Sequence, residues 1–163
     1  MTRRKDVHRF FHINVNCTDF DRSLAFYQAL GFEVVNPLTD DDGGRRTFSQ
    51  IGFNHIFRME GELDARGCLL ALDPDDRGAM RLDLLEWTSP AGLPAPERSL
   101  AHPGMARLCL KASDADAVHD RLKALGHVIY SPPKEIEMGG SRFKVFCCED
   151  PDGVVIELME FVD

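Results

Sequence analysis

An internal repeat constrains this chain more than any other feature of its sequence. Phe11, Ile13, Val15 and Cys17 alternate with Phe10, His12, Asn14 and Asn16, the period-2 pattern of a strand with one apolar and one mixed face. A helix signal follows, with Asp19 or Asp21 as N-cap, the run Ser23–Leu30, and Gly31 to close it. The same punctuation returns 95 residues later: Met105–Lys111 as strand, Asp114 and Asp116 as caps, and Ala124-Leu125-Gly126 for Ala29-Leu30-Gly31. The offset holds without a gap from position 12 to position 35. Near the ends of the two units, Arg81–Trp87 matches Val155–Phe161 at an offset of 74, so the first copy carries 21 extra residues. A tandem duplication with one enlarged copy explains both offsets.

Each copy reads as β-α-β-β-β. In the first, strands are expected at 10–17, 32–35, 68–72 and 80–87, with a helix over 23–30. Residues 45–66 hold most of the extra length, and their apolar groups follow no clean period; a short helix or a lid over a pocket both fit. In the second copy the expected elements are a strand at 105–112, a helix at about 115–125, and strands at 127–130, 142–148 and 154–161. A loop rich in Pro and Gly is expected over 131–141. The domain expectation is therefore a first module at 7–87 with an enlarged loop at 39–66, a linker at 88–103 holding four prolines, and a second module at 104–162.

The composition excludes several classes. A net charge of −8 argues against general nucleic-acid binding, which needs clustered Lys and Arg. No apolar run approaches the roughly 20 residues that span a bilayer, and Met1–Asp6 lacks the apolar segment of a signal peptide. A cytoplasmic location and no membrane partner are the expectation. Cys17, Cys68, Cys109, Cys147 and Cys148 are odd in number and form no CxxC pair, so five reduced thiols are expected, with Cys17 and Cys109 packing as small apolar groups.

Strand parity selects the candidate site. With Phe11, Ile13 and Val15 under the helix, His12, Asn14 and Asn16 lie on the opposite face of the sheet. Arg107, Cys109 and Lys111 take the same face in the second copy; Asp83, Leu85 and Trp87, and Glu157, Met159 and Phe161, complete the walls. Four ionisable residues then converge: His12, Asp83, Arg107 and Glu157. One His and two carboxylates can hold a divalent cation with open positions for substrate. An interior network in which Arg107 neutralises Asp83 and Glu157 uses the same four residues. Glu86 and Glu160, on the other parity, read as surface or interface carboxylates.

The duplication, His12 before Asp19-Phe20-Asp21-Arg22-Ser23-Leu24-Ala25-Phe26-Tyr27, and Asp150-Pro151-Asp152-Gly153-Val154-Val155-Ile156-Glu157-Leu158 resemble the vicinal oxygen chelate superfamily. That group includes glyoxalase I, methylmalonyl-CoA epimerase, extradiol dioxygenases, fosfomycin-resistance enzymes and bleomycin-binding proteins. The resemblance implies an α+β fold in which tandem βαβββ modules form a cup-shaped mixed sheet. In the metalloenzymes of the group, ligands stand near the start of the first strand and on the last strand of each module. His12 and Glu157 match those positions, Asp83 stands where Glu, Gln or His is usual, and Arg107 replaces a common ligand and cannot coordinate metal. His102, in the linker, is a possible replacement ligand, and His8 has a weaker claim.

Two functions follow from the resemblance. One is a glyoxalase-type lyase or isomerase with Zn, Ni, Mn or Fe held by His12, Asp83 and Glu157. Glu157 or Asp83 would act as the catalytic base, and Arg107, Asn14, Trp87, Met159 and Phe161 would contact an anionic substrate. The other is a metal-free binding protein, like those that sequester bleomycin, in which Arg107 fills the metal's place, a pocket lined by Trp87, Phe161, Met159 and Leu85 takes an aromatic or cationic ligand, and the acidic chain suits a cationic one. An extradiol-type dioxygenase fits less well, since it wants two His and one carboxylate. Exposed strand edges on two sheets also imply a homodimer.

Overall fold

A computed structural model describes residue 7 and residues 9–38, 46–94, 99–101 and 103–162. His8, His102 and part of the enlarged loop, residues 39–45, lie outside them.

The element order is β1 (His12–Cys17), α1 (Phe20–Ala29), β2 (Glu33–Pro37), α2 (Phe53–Phe57), β3 (Asp64–Ala71) and β4 (Arg81–Ser89). The second copy supplies β5 (Leu108–Ala112), α3 (Ala115–Ala124), β6 (Lys134–Met138), β7 (Ser141–Glu149) and β8 (Val155–Phe161). Two mixed four-stranded sheets result, ordered β1-β4-β3-β2 and β5-β8-β7-β6. The α+β fold and the duplication are therefore as the repeat requires. Both offsets reappear as strand register: Asn14 pairs with Asp83 across β1 and β4, and Cys109 pairs with Glu157 across β5 and β8.

Three local expectations change. Phe11 precedes β1 and is exposed, so Val15 and Cys17 supply that strand's buried face. The strand expected at 127–130 is reduced to one bridge between Ile129 and Cys148, and the sheet's edge strand lies at 134–138, where a loop was expected. Gly139 and Gly140, with φ of 63° and 79°, turn the chain back between β6 and β7. Two consecutive positive φ values are what a two-residue hairpin of this hand requires. Within the enlarged loop, the chain forms the short helix α2, one of the two forms expected there.

The carboxylates assigned to the surface have a structural task in both copies. Glu86 Oε2 accepts from the Phe20 backbone N–H at 3.2 Å, and Glu160 Oε2 accepts from Ala115 N–H at 2.8 Å. Each places a carboxylate at the first turn of a helix, where orphan N–H groups and the helix dipole favour it. Asp114 adds a side-chain cap to α3, accepting from Ala117 N–H at 2.9 Å.

The chain divides into two compact units that do not follow sequence order. One holds Met1–Phe20 and Gly31–Gly92; the other holds Asp21–Leu30 and Leu93–Asp163. Helix α1 thus packs with the second sheet, not under Val15 on its own. Tyr27 is fully buried there and donates from Oη to Asp150 Oδ2 at 2.9 Å. Arg22 pairs with Asp152 at 3.2 Å, Arg121 Nε donates to Ala29 O at 2.7 Å, and the Phe26 ring meets His127 edge-on at 4.9 Å. Asp150 also accepts from Val154 N–H and Asp152 N–H at 2.7 and 2.9 Å, which folds the turn between β7 and β8. Among the described residues none of the five cysteines is joined in a disulfide. Among the described residues no helix is long and apolar enough to cross a membrane.

Candidate functional site

The first sheet carries its candidate site residues on one face. Parallel register sets His12 beside Arg81, Asn14 beside Asp83 and Asn16 beside Leu85, and Trp87 follows on the same parity. One side-chain contact shows the shared face, Trp87 Nε1 donating to Asn16 Oδ1 at 3.1 Å, while Asn14 Nδ2 donates to the backbone carbonyl of Asp83 at 3.1 Å. Gly67 on β3 lies opposite Leu85, and a methyl group there would come within 2.4 Å of Leu84 O and 2.5 Å of Leu85 Cδ2. Only glycine leaves Leu85 room to lie across the strand.

Asp83 is the electrostatically unusual member. Its Oδ1 is buried without a hydrogen-bond partner among the described residues. Burial raises its pKa above the ordinary carboxylate value, while the His12 imidazole and a hydrogen bond from Asn14 pull it back. A buried, unpaired carboxylate oxygen is costly and marks a place where a proton, a cation or a ligand donor would be welcome.

Sequence reasoning did not find the aromatic group beside it. Phe48, Phe53 and Phe57, all from the enlarged loop, surround Trp87. Phe48 lies 5.6 Å and Phe57 6.4 Å from the indole, both edge-on, and Phe53 lies 5.4 Å from Phe48 and 4.7 Å from Phe57. The loop that presents them is tied down at its base. Leu63 N–H donates to Ser49 Oγ at 2.7 Å, Thr47 Oγ1 donates to Glu62 at 2.8 Å, and Asn54 Nδ2 donates to Gly61 O at 2.7 Å. The spacing of Phe53 and Phe57, one helical turn apart, was the available signal.

On the second sheet, Arg107, Cys109 and Lys111 share a face with Glu157, Met159 and Phe161, as parity requires. Arg107 Nε donates to Glu157 Oε2 at 3.0 Å, with the Arg107 side chain about half exposed and that of Glu157 mostly buried. The carboxylate raises the Arg107 pKa further, which keeps the guanidinium charged. Cys109 and Cys147 flank Glu157 on the two neighbouring strands. Cys109 is exposed, not packed as an apolar group; partial desolvation of its sulfur by the neighbouring strand, then a hydrogen bond to Glu157, raises its thiol pKa. Lys111 Nζ sits 4.8 Å from the Phe161 ring centre, and Phe143 packs edge-on against that ring at 4.8 Å.

A sequence profile of the glyoxalase/bleomycin resistance protein/dioxygenase superfamily matches residues 9–158. The chain belongs to that superfamily. The superfamily fold is also found in solved structures of low sequence identity. A glyoxalase family protein from Bacillus cereus aligns over 100% of this chain and 99% of its own, with 15% identity and a TM-score of 0.76. A glyoxylase/bleomycin resistance protein/dioxygenase domain from Frankia aligns over 96% and 100%, with 16% identity and a TM-score of 0.64. The trypanothione-dependent glyoxalase I of Leishmania major aligns over 94% and 87%, with 17% identity and a TM-score of 0.57. No curated protein sequence matches the chain.

Many superfamily members use a divalent metal, so the donor set needs testing against that role. His12 and Asp83 offer an imidazole and an orphaned carboxylate oxygen on one sheet. On the other, Glu157 already holds a permanent cation. Among the described residues, no three His, Cys, Asp or Glu side chains gather closely enough to hold a metal ion. Within either sheet the described donors therefore fall short of a metal site.

Proposed function

We propose that this superfamily member is a metal-independent small-molecule binding protein. The observation that carries this reading is the 3.0 Å contact between Arg107 and Glu157. Glu157 stands where the metalloenzymes of the superfamily place a carboxylate ligand, and here a guanidinium already meets its charge. The positive charge that a metal brings elsewhere is supplied by the chain itself, and it does not depend on metal supply or on pH. On the first sheet the candidate ligand-facing surface is the face carrying Asn14, Asp83 and Trp87; on the second it is the face carrying Met159 and Phe161.

Calorimetric titration of Zn²⁺, Ni²⁺ and Mn²⁺ into the wild type and into Arg107→His tests it. The wild type should show no tight binding. Arg107→His should gain affinity, because an imidazole donor replaces a cation. Tight binding by the wild type would refute the proposal.

The second reading is a metal-assisted lyase or isomerase of the glyoxalase type. The unpaired Oδ1 of Asp83 beside His12 favours it, since a metal would satisfy that atom. His12, Asp83 and Glu157 would then be the ligands, a bound Zn, Ni, Mn or Fe would supply charge stabilisation, and Glu157 would have to exchange Arg107 for it. The same titration decides between the two.

A further inference from the structure

The second sheet carries a charge pattern opposite to that of the whole chain. Strand register runs one row of side chains across it: Lys111 on β5 stands beside Met159 on β8, Met159 beside Val145 on β7, and Val145 beside Lys134 on the edge strand β6. Residues in direct register share a face, so a lysine closes each end of a row with an apolar middle. At about 4.8 Å per strand the two lysine backbones lie about 14 Å apart. Met159 and Val145 are half-buried, and the next row adds Phe161 and Ile136, 49% and 40% exposed, on either side of Phe143. Both lysines are exposed. Lys111 Nζ lies 4.8 Å from the centre of the Phe161 ring, which turns it from the sheet's margin toward the apolar residues. The acids on the same face of β7 and β8 are engaged by other groups: Glu157 by Arg107 at 3.0 Å, and Glu149 by Tyr130 Oη at 2.6 Å. A chain of net charge −8 thus presents, on this face, an apolar floor between two cations.

We propose that this row binds an elongated organic dianion: its two acid groups meet Lys111 and Lys134, and its apolar body lies on Met159, Val145 and Phe161. Each acid finds an ammonium on a flexible stem with three donors to offer, and the body covers apolar side chains that water now reaches. A cationic ligand would meet like charge at both ends. The assignment rests on the metal-independent reading and gives the second-sheet face of that reading a ligand class.

The test uses dodecanedioate as probe, its monomethyl ester, which keeps the length and loses one charge, and dodecanediamine, which reverses both charges. Binding is read by calorimetry on the full chain, and the site by mass spectrometry of lysine acetylation with and without the probe. The dianion should bind saturably, and the ester about three- to fivefold more weakly. The bound dianion should protect Lys111 and Lys134 from acetylation and leave Lys123, exposed on α3, unprotected, while the diamine should protect none of the three. Lys111→Gln and Lys134→Gln should each remove most of the difference between dianion and ester. Lys144→Gln, on the opposite face of β7 and paired with Asp116, should keep it. Thermal melts of each variant establish that it is folded. Lysines that serve only to guard an open strand edge would give no saturable binding, and that result would overturn the inference. Equal affinity of the wild type for dianion and ester would overturn it too, as would an equal loss in Lys144→Gln, the mark of bulk charge alone. These results leave the metal-independent reading standing. Tight Zn²⁺ binding by the wild type refutes that reading and, with it, this assignment.

Discussion

Replacing Tyr27 by Phe removes one oxygen from the interior and nothing else. The hydroxyl donates to Asp150 Oδ2 at 2.9 Å, and both residues are almost wholly shielded from water. A hydrogen bond to a charged partner contributes about 1.5–3 kcal/mol, and here the loss leaves a carboxylate oxygen short of a donor with no water to replace it. In a chain of 163 residues that corresponds to a melting point lower by about 3–10 °C. Urea unfolding should show a lower midpoint with an unchanged slope, since the surface exposed on unfolding is the same. The effect should also depend on pH. Burial, the largest influence, raises the Asp150 pKa above its unfolded value, while the bonds from Val154, Tyr27 and Asp152 lower it. The folded state therefore holds this proton more tightly than the unfolded chain. Stability from Asp150 is greatest at low pH and declines as pH rises through the window between the unfolded and folded values. Tyr27 stabilises mainly the ionised form, so Tyr27→Phe should cost more at neutral pH than near pH 4. A loss below about 0.5 kcal/mol at neutral pH, or a loss that grows on acidification, would refute the reasoning.

Four other outcomes are expected. Arg107→Ala should cost only about 0.5–1 kcal/mol in a denaturant titration, because the Arg107 side chain is about half exposed and its ion pair is screened by water. Gly67→Ala should lower stability by about 2 kcal/mol or more, since the added methyl meets backbone at Leu84 and cannot be relieved by a rotamer change alone; a melting temperature equal to wild type would refute the close approach. Glu160→Ala should destabilise by about 1 kcal/mol through the start of α3, with Glu160→Gln recovering part of it, as read by chemical denaturation. Sedimentation at micromolar concentration should show a homodimer, as the open strand edges favour, and β6, whose five residues are all exposed, is one such edge.

Much of the fold could be read from two offsets. Asn14 with Asp83 and Cys109 with Glu157 stand in strand register because the repeat preserves pairing as well as element order. Parity put Trp87 on the face of Asn16, and the indole N–H donates to the Asn16 side chain. Other features were hidden for physical reasons. Gly139 and Gly140 read as loop chemistry, although two adjacent glycines between the alternating run Lys134–Met138 and Ser141 also describe a hairpin turn. Glu86 and Glu160 face away from the candidate site, and a carboxylate that caps a distant helix looks in sequence like any surface acid. The rings of Phe48 and Phe57 come from a segment without regular period, so only tertiary folding brings them to Trp87. The apolar stripe of α1 states that the helix must be covered, but not by which sheet.

Cover from the second half delays the burial of α1 while the chain is being synthesised. Tyr27 is translated 123 residues before Asp150, and Ala29 is translated 92 before Arg121. At about 5–20 residues per second, the amphipathic helix must persist for about 6–25 s after it is made, before its partner turn exists. During that interval β1 and β2, on either side of it, can already pair with β3 and β4, so the nascent first sheet carries the helix as a loop awaiting its seat. A chain truncated in the linker and released would therefore display a paired first sheet with Phe26 and Tyr27 exposed, a species suited to chaperone capture or to docking on the second half of another chain.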